Sequence, residues 1–324
     1  MAVEGTALST AEANFFSKES LAGVTLFSRN IPQPQVGVVQ LIESIQSCTP
    51  SSHPLIVAVD QEGGRVSRFK GEGFPDDGPA LKLYEGRSDP EALKEIYDYG
   101  ASIGQALKRL GVNVNFAPVV DVLSNDDNIA IGDRVFAKEP GAVIKRAGAF
   151  LNGQQSAGVL GCLKHFPGQG AANADTHEGP ARVNRDLAIL EEIDLLPFRV
   201  LASQAPMVML SHCVYPELDS KPASLSPMII QKWLKTRIGF EGLVVSDDMT
   251  MAAIPEDDKS WANANIEAIT AGVDLLLVCR GLERCRLACE ALGNEAKRSK
   301  AFADRLAMAA AKVATFRKRL SYQH

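Results

Sequence analysis

The run Lys164-His165-Phe166-Pro167-Gly168-Gln169-Gly170-Ala171-Ala172-Asn173-Ala174-Asp175-Thr176-His177 sets a lysine, two histidines and an aspartate among small residues. Such a stretch is poor packing material, because it offers few apolar side chains and several polar ones that are costly to bury. It suits a functional loop. A second block, Leu243-Val244-Val245-Ser246-Asp247-Asp248-Met249, delivers two adjacent carboxylates at the end of a strand. Like charges at a desolvated strand end are unfavourable unless something uses or pairs them. Neighbouring side chains of an extended chain diverge, so one aspartate faces a cavity while the other makes a structural bond.

Two more blocks carry charge to the same kind of position. In Asp60-Gln61-Glu62-Gly63-Gly64-Arg65-Val66-Ser67-Arg68 the paired glycines let the chain turn sharply while Asp60 and two arginines stay near the strand end. Asp121 closes the run Phe116 to Val120, and Ile131-Gly132-Asp133-Arg134 puts an arginine on the next loop. A salt bridge explains either block alone. Together, fixed carboxylates, Lys, Arg and His suit a polyhydroxyl ligand, whose hydroxyls need donors and acceptors in bidentate arrangements.

Short β-branched apolar runs position these groups: Gly23 to Phe27, Leu55 to Val59, Val112 to Val120, Gly161 to Phe166, Met207 to Val214, Leu243 to Val245 and Asp274 to Val278, with residues 1–6 as a weaker eighth. Between them lie helical patterns at Pro90 to Leu110, Ala142 to Gln155, Leu190 to Ser203, Ser226 to Thr236 and Asn263 to Ala271. This alternation predicts a single (β/α)8 barrel of the TIM type over 1–324, with 283–320 as carboxyl-terminal barrel helices. Polar groups directly follow the strands, as they do in barrels whose active site lies at the carboxyl ends. Phe74 to Pro79 reads as a long loop, and no linker or repeat divides the chain.

Composition removes other classes. With 46% hydrophobic and 23% charged residues among 324, the chain matches a globular protein rather than a disordered one. Lys and Arg number 34 against 39 Asp and Glu, a net charge of −5 without a basic stripe, which argues against nucleic acid. No apolar stretch has the length of a membrane span. The six cysteines contain no C-x-x-C pair and the amino terminus lacks a basic signal region, so a reducing, cytoplasmic setting is expected. The expected partner is a small carbohydrate, with the chain a monomer or weak homo-oligomer.

KHFPGQG with DTH behind it, together with VDQEGGRVSRF, FAPVVD, IGDRVF, HCVYP and VVSDDMTM, resembles the single-domain β-N-acetylglucosaminidases of glycoside hydrolase family 3 that recycle peptidoglycan. The likeness runs from Gly23 to Cys279. It implies that Asp247 is the nucleophile, that His177 is the acid/base oriented by Asp175, and that Asp60, Arg68, Arg134, Lys164 and His165 bind the sugar. It also implies retention through a covalent glycosyl-enzyme, with terminal N-acetylglucosamine released from fragments such as GlcNAc-anhydroMurNAc peptides. Histidine suits such a role because its ordinary pKa of about 6.5 allows proton transfer in both directions near neutrality. No metal or organic cofactor is implied. One departure stands out: the family usually writes KHFPGHG, and Gln169 replaces the second histidine. Glutamine still hydrogen-bonds but does not titrate, so catalysis is expected to survive.

Three other readings compete. Another family 3 exo-β-glycosidase, such as a β-glucosidase, would share the barrel but typically lacks the Asp-x-His loop. A barrel metallohydrolase would recruit His165, His177 and His212, yet no HxH pair follows a first strand. A non-catalytic sugar-binding protein is opposed by intact Asp247 and His177. The small-residue loop from Pro167 to His177 is also expected to open and close over the site.

Overall fold

A computed structural model describes residues 1–49, 54–71, 73–75, 78–84, 87 and 89–320. Seven parallel strands form one sheet in chain order: β1 (Gly23–Leu26), β2 (Ile56–Val59), β3 (Val114–Asn115), β4 (Leu160–Phe166), β5 (Met207–Leu210), β6 (Leu243–Asp248) and β7 (Leu275–Leu277). The sheet curls into a nearly closed barrel of the TIM type, surrounded by helices.

The eighth strand expected at residues 1–6 does not form. Instead the Met1 carbonyl accepts from Thr25 N at 2.8 Å and Ala2 N donates to the Val278 carbonyl at 3.3 Å. This short segment bridges β1 to the chain just beyond β7, satisfying edge groups that would otherwise be unpaired. The run Val112 to Val120 shortens to two strand residues, because Pro118 has no N–H to give the ladder; Val119 regains a single bridge to Lys164. Of the loop expected at Phe74 to Pro79, Asp76 and Asp77 lie outside the described residues.

The strands read as continuous apolar runs because both faces are buried. Ile56, Ala58, Val114, Phe116, Cys162, Met207, Met209, Leu243, Val245 and Leu277 fill the barrel interior. Val57, Val59, Leu163, Val208, Leu210 and Val244, one residue out of phase, pack under the helices. This two-residue period decides which side chain beyond each strand turns inward.

Helices form at Asp89–Arg109, Pro140–Ser156 and Asp258–Ala271, a few residues from their expected bounds. The last starts early because Asp257 caps it, accepting from Ser260 N at 3.0 Å. The segment expected at Leu190 to Ser203 is broken into a wide turn at Leu190–Asp194 and a helix at Leu196–Leu201 with Pro197 in its first turn. Sequence reading passed over helices at Thr10–Lys18 and Val38–Cys48. The first of these carries a complete capping box between Ser9 and Glu12. The tail forms two helices, Leu282–Arg298 and Lys300–Leu320. Val313, Phe316 and Leu320 of the latter join the interior group, and Arg317 Nε donates to the Pro54 carbonyl at 2.8 Å. The last helix therefore seals the amino-terminal end of the barrel. Among the described residues no helix is long and apolar enough to cross a membrane.

Candidate active site

Counting two residues on from the last inward-facing residue of each strand gives Asp60 after Ala58, Lys164 after Cys162 and Asp247 after Val245. All three line one cavity of about 360 Å³ at the carboxyl ends of the strands. Arg68, Arg134, His165, Asp175 and His177 line it too, so the eight residues that the resemblance assigns to catalysis and sugar binding share it, while Asp121, Asp133 and His212 lie outside its lining.

The floor is an ion-pair network. Lys164 Nζ lies 2.7 Å from Asp60 Oδ1 and 2.6 Å from Glu62 Oε1, and Arg134 grips both oxygens of Glu62 at 2.8 Å. Arg68 reaches Asp60 at 3.5 Å. The Lys164 side chain is 2% exposed and that of Glu62 4%. Burial alone would raise the Glu62 carboxyl; Arg134 and Lys164 overcome it and hold the group far below the ordinary carboxylate range. The Lys164 ammonium is held charged in turn, Asp60 and Glu62 outweighing burial. Glu62 has no role among the sequence-based expectations. Its signal was the Glu two residues beyond Asp60, on the same face.

Beside this floor, His165 Nδ1 meets Asp121 Oδ2 at 2.8 Å, while Asp121 Oδ1 accepts from the backbone N–H groups of His165 and Gln169 at 3.2 and 2.7 Å. The buried aspartate thus fixes the ring and the start of the following loop together.

The paired aspartates of β6 divide as the geometry of an extended chain requires. Asp248 accepts from Thr250 N and from Cys279 N at 2.9 and 3.1 Å and from the Thr250 hydroxyl at 2.7 Å, which ties β6 to the end of β7. Asp247 accepts the Asp248 N–H, at 2.8 Å, and stays partly open to the cavity. Burial opposes its charge, but His165, His212 and the Asp248 N–H prevail and keep the carboxyl below its usual range, hence ionised near neutrality. His212, which sequence reading did not place in the site, is buried, and burial lowers its pKa. Its Nε2–H donates to the Asp248 carbonyl at 3.1 Å and its Nδ1 accepts from the Ser224 hydroxyl at 2.7 Å, bracing the strand end.

The Pro167 to His177 loop is anchored more firmly than its composition suggests. Gly170 lies so close to the chain that a Cβ there would sit 1.9 Å from the Val122 carbonyl oxygen, and its own carbonyl accepts from Ser124 N and Asn125 N at 3.4 and 3.3 Å. At Gly168 φ is +128°, and a side chain there would meet Asp194. Gln169 accepts from Ser211 Oγ at 3.1 Å and donates to Thr176 Oγ1 at 3.4 Å, clasping the loop from inside. Thr176 is 1% exposed, and its carbonyl accepts from Ala253 N at 3.2 Å. At the tip His177 Nδ1 meets Asp175 Oδ1 at 2.8 Å, which leaves Nε2 for the cavity. Burial would raise Asp175, but the backbone and ring N–H groups of His177 lower it, so the carboxylate stays charged beside the imidazole. His177 and Asp247 thus share one cavity with the loop in its clasped position.

The three histidines named for a metal reading have separate partners: Asp121, Asp175, and Ser224 with the Asp248 carbonyl. The arrangement instead offers an ionised carboxylate, a carboxylate-oriented imidazole and a charged floor for hydroxyls. Such a set can supply a nucleophile and move a proton within one cavity.

Known proteins resemble this chain over most of its length. The model of the glycosyl hydrolase family 3 N-terminal domain matches residues 1–316. A β-hexosaminidase of Xylella fastidiosa (strain 9a5c) is 39% identical over 284 residues, covering 86% of this chain and 82% of that protein. One from Stenotrophomonas maltophilia (strain K279a) is 38% identical over 283 residues, again 86% and 82%. Among solved structures, native NagZ from Neisseria gonorrhoeae superposes with a TM-score of 0.78 at 31% identity, over 89% of this chain and 82% of that one. A family 3 β-N-acetylglucosaminidase from Paenibacillus sp. str. FPU-7 gives a TM-score of 0.88 at 28% identity; it covers all of this chain, which spans 61% of that longer one.

Proposed function

This chain belongs to glycosyl hydrolase family 3 and is a β-hexosaminidase, and we propose that it works as an exo-acting, retaining β-N-acetylglucosaminidase on peptidoglycan fragments. The observation that carries the mechanism is the placement of an ionised Asp247 and the Asp175-His177 pair around one cavity. At about 360 Å³ the cavity matches a small ligand, and its charged floor suits the hydroxyls of one terminal sugar ring.

In this reading Asp247 attacks the anomeric carbon while the glycosidic C–O bond breaks, and His177 Nε2 gives its proton to the departing oxygen. Water then attacks the glycosyl-Asp247 ester as His177 takes up its proton, releasing N-acetylglucosamine with the β configuration kept. Asp175 stabilises the imidazolium, as an aspartate does beside histidine in hydrolytic triads. Asp60, Arg68, Arg134, Lys164 and His165 hold the ring hydroxyls. A reducing, cytoplasmic setting belongs to the same proposal; it is supported by six free cysteines, four of them buried.

Proton NMR of a nitrophenyl N-acetylglucosaminide during hydrolysis tests the mechanism. The β-anomer appears first if the displacement is double, whereas an α-anomer appearing first overturns it. Product analysis on defined muropeptides tests the substrate class.

A further inference from the structure

Of the cations lining the cavity, most are neutralised. Lys164 and Arg68 meet Asp60, Arg134 meets Glu62, and Arg65 meets Asp133 at 3.0 Å. Two are not: among the described residues no carboxylate pairs with Arg29 or Arg280. Arg29 Nε and Nη2 donate to the Val3 and Cys279 carbonyls at 3.2 and 2.8 Å, and its guanidinium lies 4.7 Å from the centre of the Phe27 ring. Carbonyls and a ring fix its position without cancelling its charge. Arg280 is the residue after Cys279, is exposed, and lines the same cavity. Glu4 accepts from Gly281 N at 3.1 Å rather than from either guanidinium. In a chain of net charge −5, two arginines that line the mouth with no carboxylate paired to them among the described residues are available to an anion supplied by the ligand.

Their sector is the one left for the leaving group. The charged floor holds a sugar from the β2 and β4 side. Asp247 approaches from β6, and Cys279 N, bound to Asp248, fixes Arg280 next to that strand end. The bond from Ala253 N to Thr176 O carries the loop tip with His177 across to the chain that follows β6. In the glycosidase reading, proton delivery then comes from the side of β6 and β7, whose following chain carries Arg280 and whose Cys279 carbonyl holds Arg29.

We propose that Arg29 and Arg280 form a subsite for a carboxylate on the leaving sugar. This rests on the glycosidase reading above and narrows it to peptide-free fragments, because the lactyl ether of N-acetylmuramic acid carries a free carboxylate only where no stem peptide amidates it, and a chitooligosaccharide carries none. Guanidinium suits the role, since it meets a carboxylate with two parallel N–H donors.

The test compares kcat/KM for four substrates with the same terminal sugar: nitrophenyl N-acetylglucosaminide, N,N′-diacetylchitobiose, GlcNAc-MurNAc, and its lactyl methyl ester. The wild type should favour the free acid over the ester, and salt should shrink that preference. Arg280→Gln should lower the acid-to-ester ratio about ten-fold or more, and Arg280→Lys should recover part of it. Arg280→Gln is the cleaner variant, because Arg29 also supports backbone carbonyls. A wild type that cleaves the nitrophenyl substrate and chitobiose but treats acid and ester alike overturns the subsite and leaves the glycosidase reading standing. An Arg280→Gln protein with an unchanged ratio also overturns it. A wild type that fails on every substrate overturns the glycosidase reading itself.

Discussion

Replacing Glu62 probes the network under the proposed sugar site. Its carboxylate accepts from Lys164 at 2.6 Å and from Arg134 at 2.8 Å on each oxygen, with side-chain exposures of 4% for Glu62, 2% for Lys164 and 11% for Arg134. Near a protein surface each close pair of opposite charges is worth about 4 kcal/mol at 4 Å, and desolvation offsets much of that. Glu62→Gln also leaves two cations facing each other, so the net loss should be about 3–5 kcal/mol, the range for removing one partner of a buried pair. Asp60 still accompanies Lys164, which favours the lower end. Because the folded Glu62 carboxyl is held far below its unfolded value, its contribution is present above the unfolded pKa and drains away as pH falls below it. The deficit of Glu62→Gln in urea unfolding should therefore be full at pH 7 and should shrink below about pH 4.5. In Glu62→Gln/Arg134→Met, where the facing charge is also removed, part of the stability should return. A loss under 1 kcal/mol at pH 7, or a deficit that does not change between pH 7 and 3, would refute the claim that this carboxylate neutralises the floor.

Asp247→Ala should lose most of kcat while still binding N-acetylglucosamine, and Asp248→Ala should lose less activity but more stability, because its bonds to Thr250 and Cys279 are structural; labelling of Asp248 by a fluorosugar would reverse the assignment. His177→Ala should slow disaccharides far more than nitrophenyl substrates, since a good leaving group needs little protonation, and azide should partly restore the latter. An unchanged ratio would move the acid/base role elsewhere. Gln169→Ala removes both bonds of the clasp and should lower kcat on disaccharides several-fold, with Gln169→His recovering part; equal loss on nitrophenyl substrates would make Gln169 a stabiliser of the fold rather than of the His177 position. Arg134→Ala should cut kcat/KM about 10-fold or more, measured on the nitrophenyl substrate.

The sequence by itself determined the strand-helix alternation, the convergence of charged blocks at the strand ends and the divergence of the Asp247 and Asp248 side chains. These properties follow from short-range rules: a two-residue period along strands, polar residues after apolar runs, and the divergence of neighbouring side chains. Tertiary structure decided what depends on groups distant in the chain. It spread Glu62 between Lys164 and Arg134, 102 and 72 residues further along the chain. It set His212 against the Asp248 carbonyl and bridged the barrel edge with Met1 and Ala2 where a strand was expected. It also anchored the Pro167 to His177 loop through Gly170 against Val122 and Gln169 between Ser211 and Thr176. No local pattern signals these contacts, because each partner's residue type is ordinary for its own segment. Only closure of the barrel brings them within hydrogen-bonding distance.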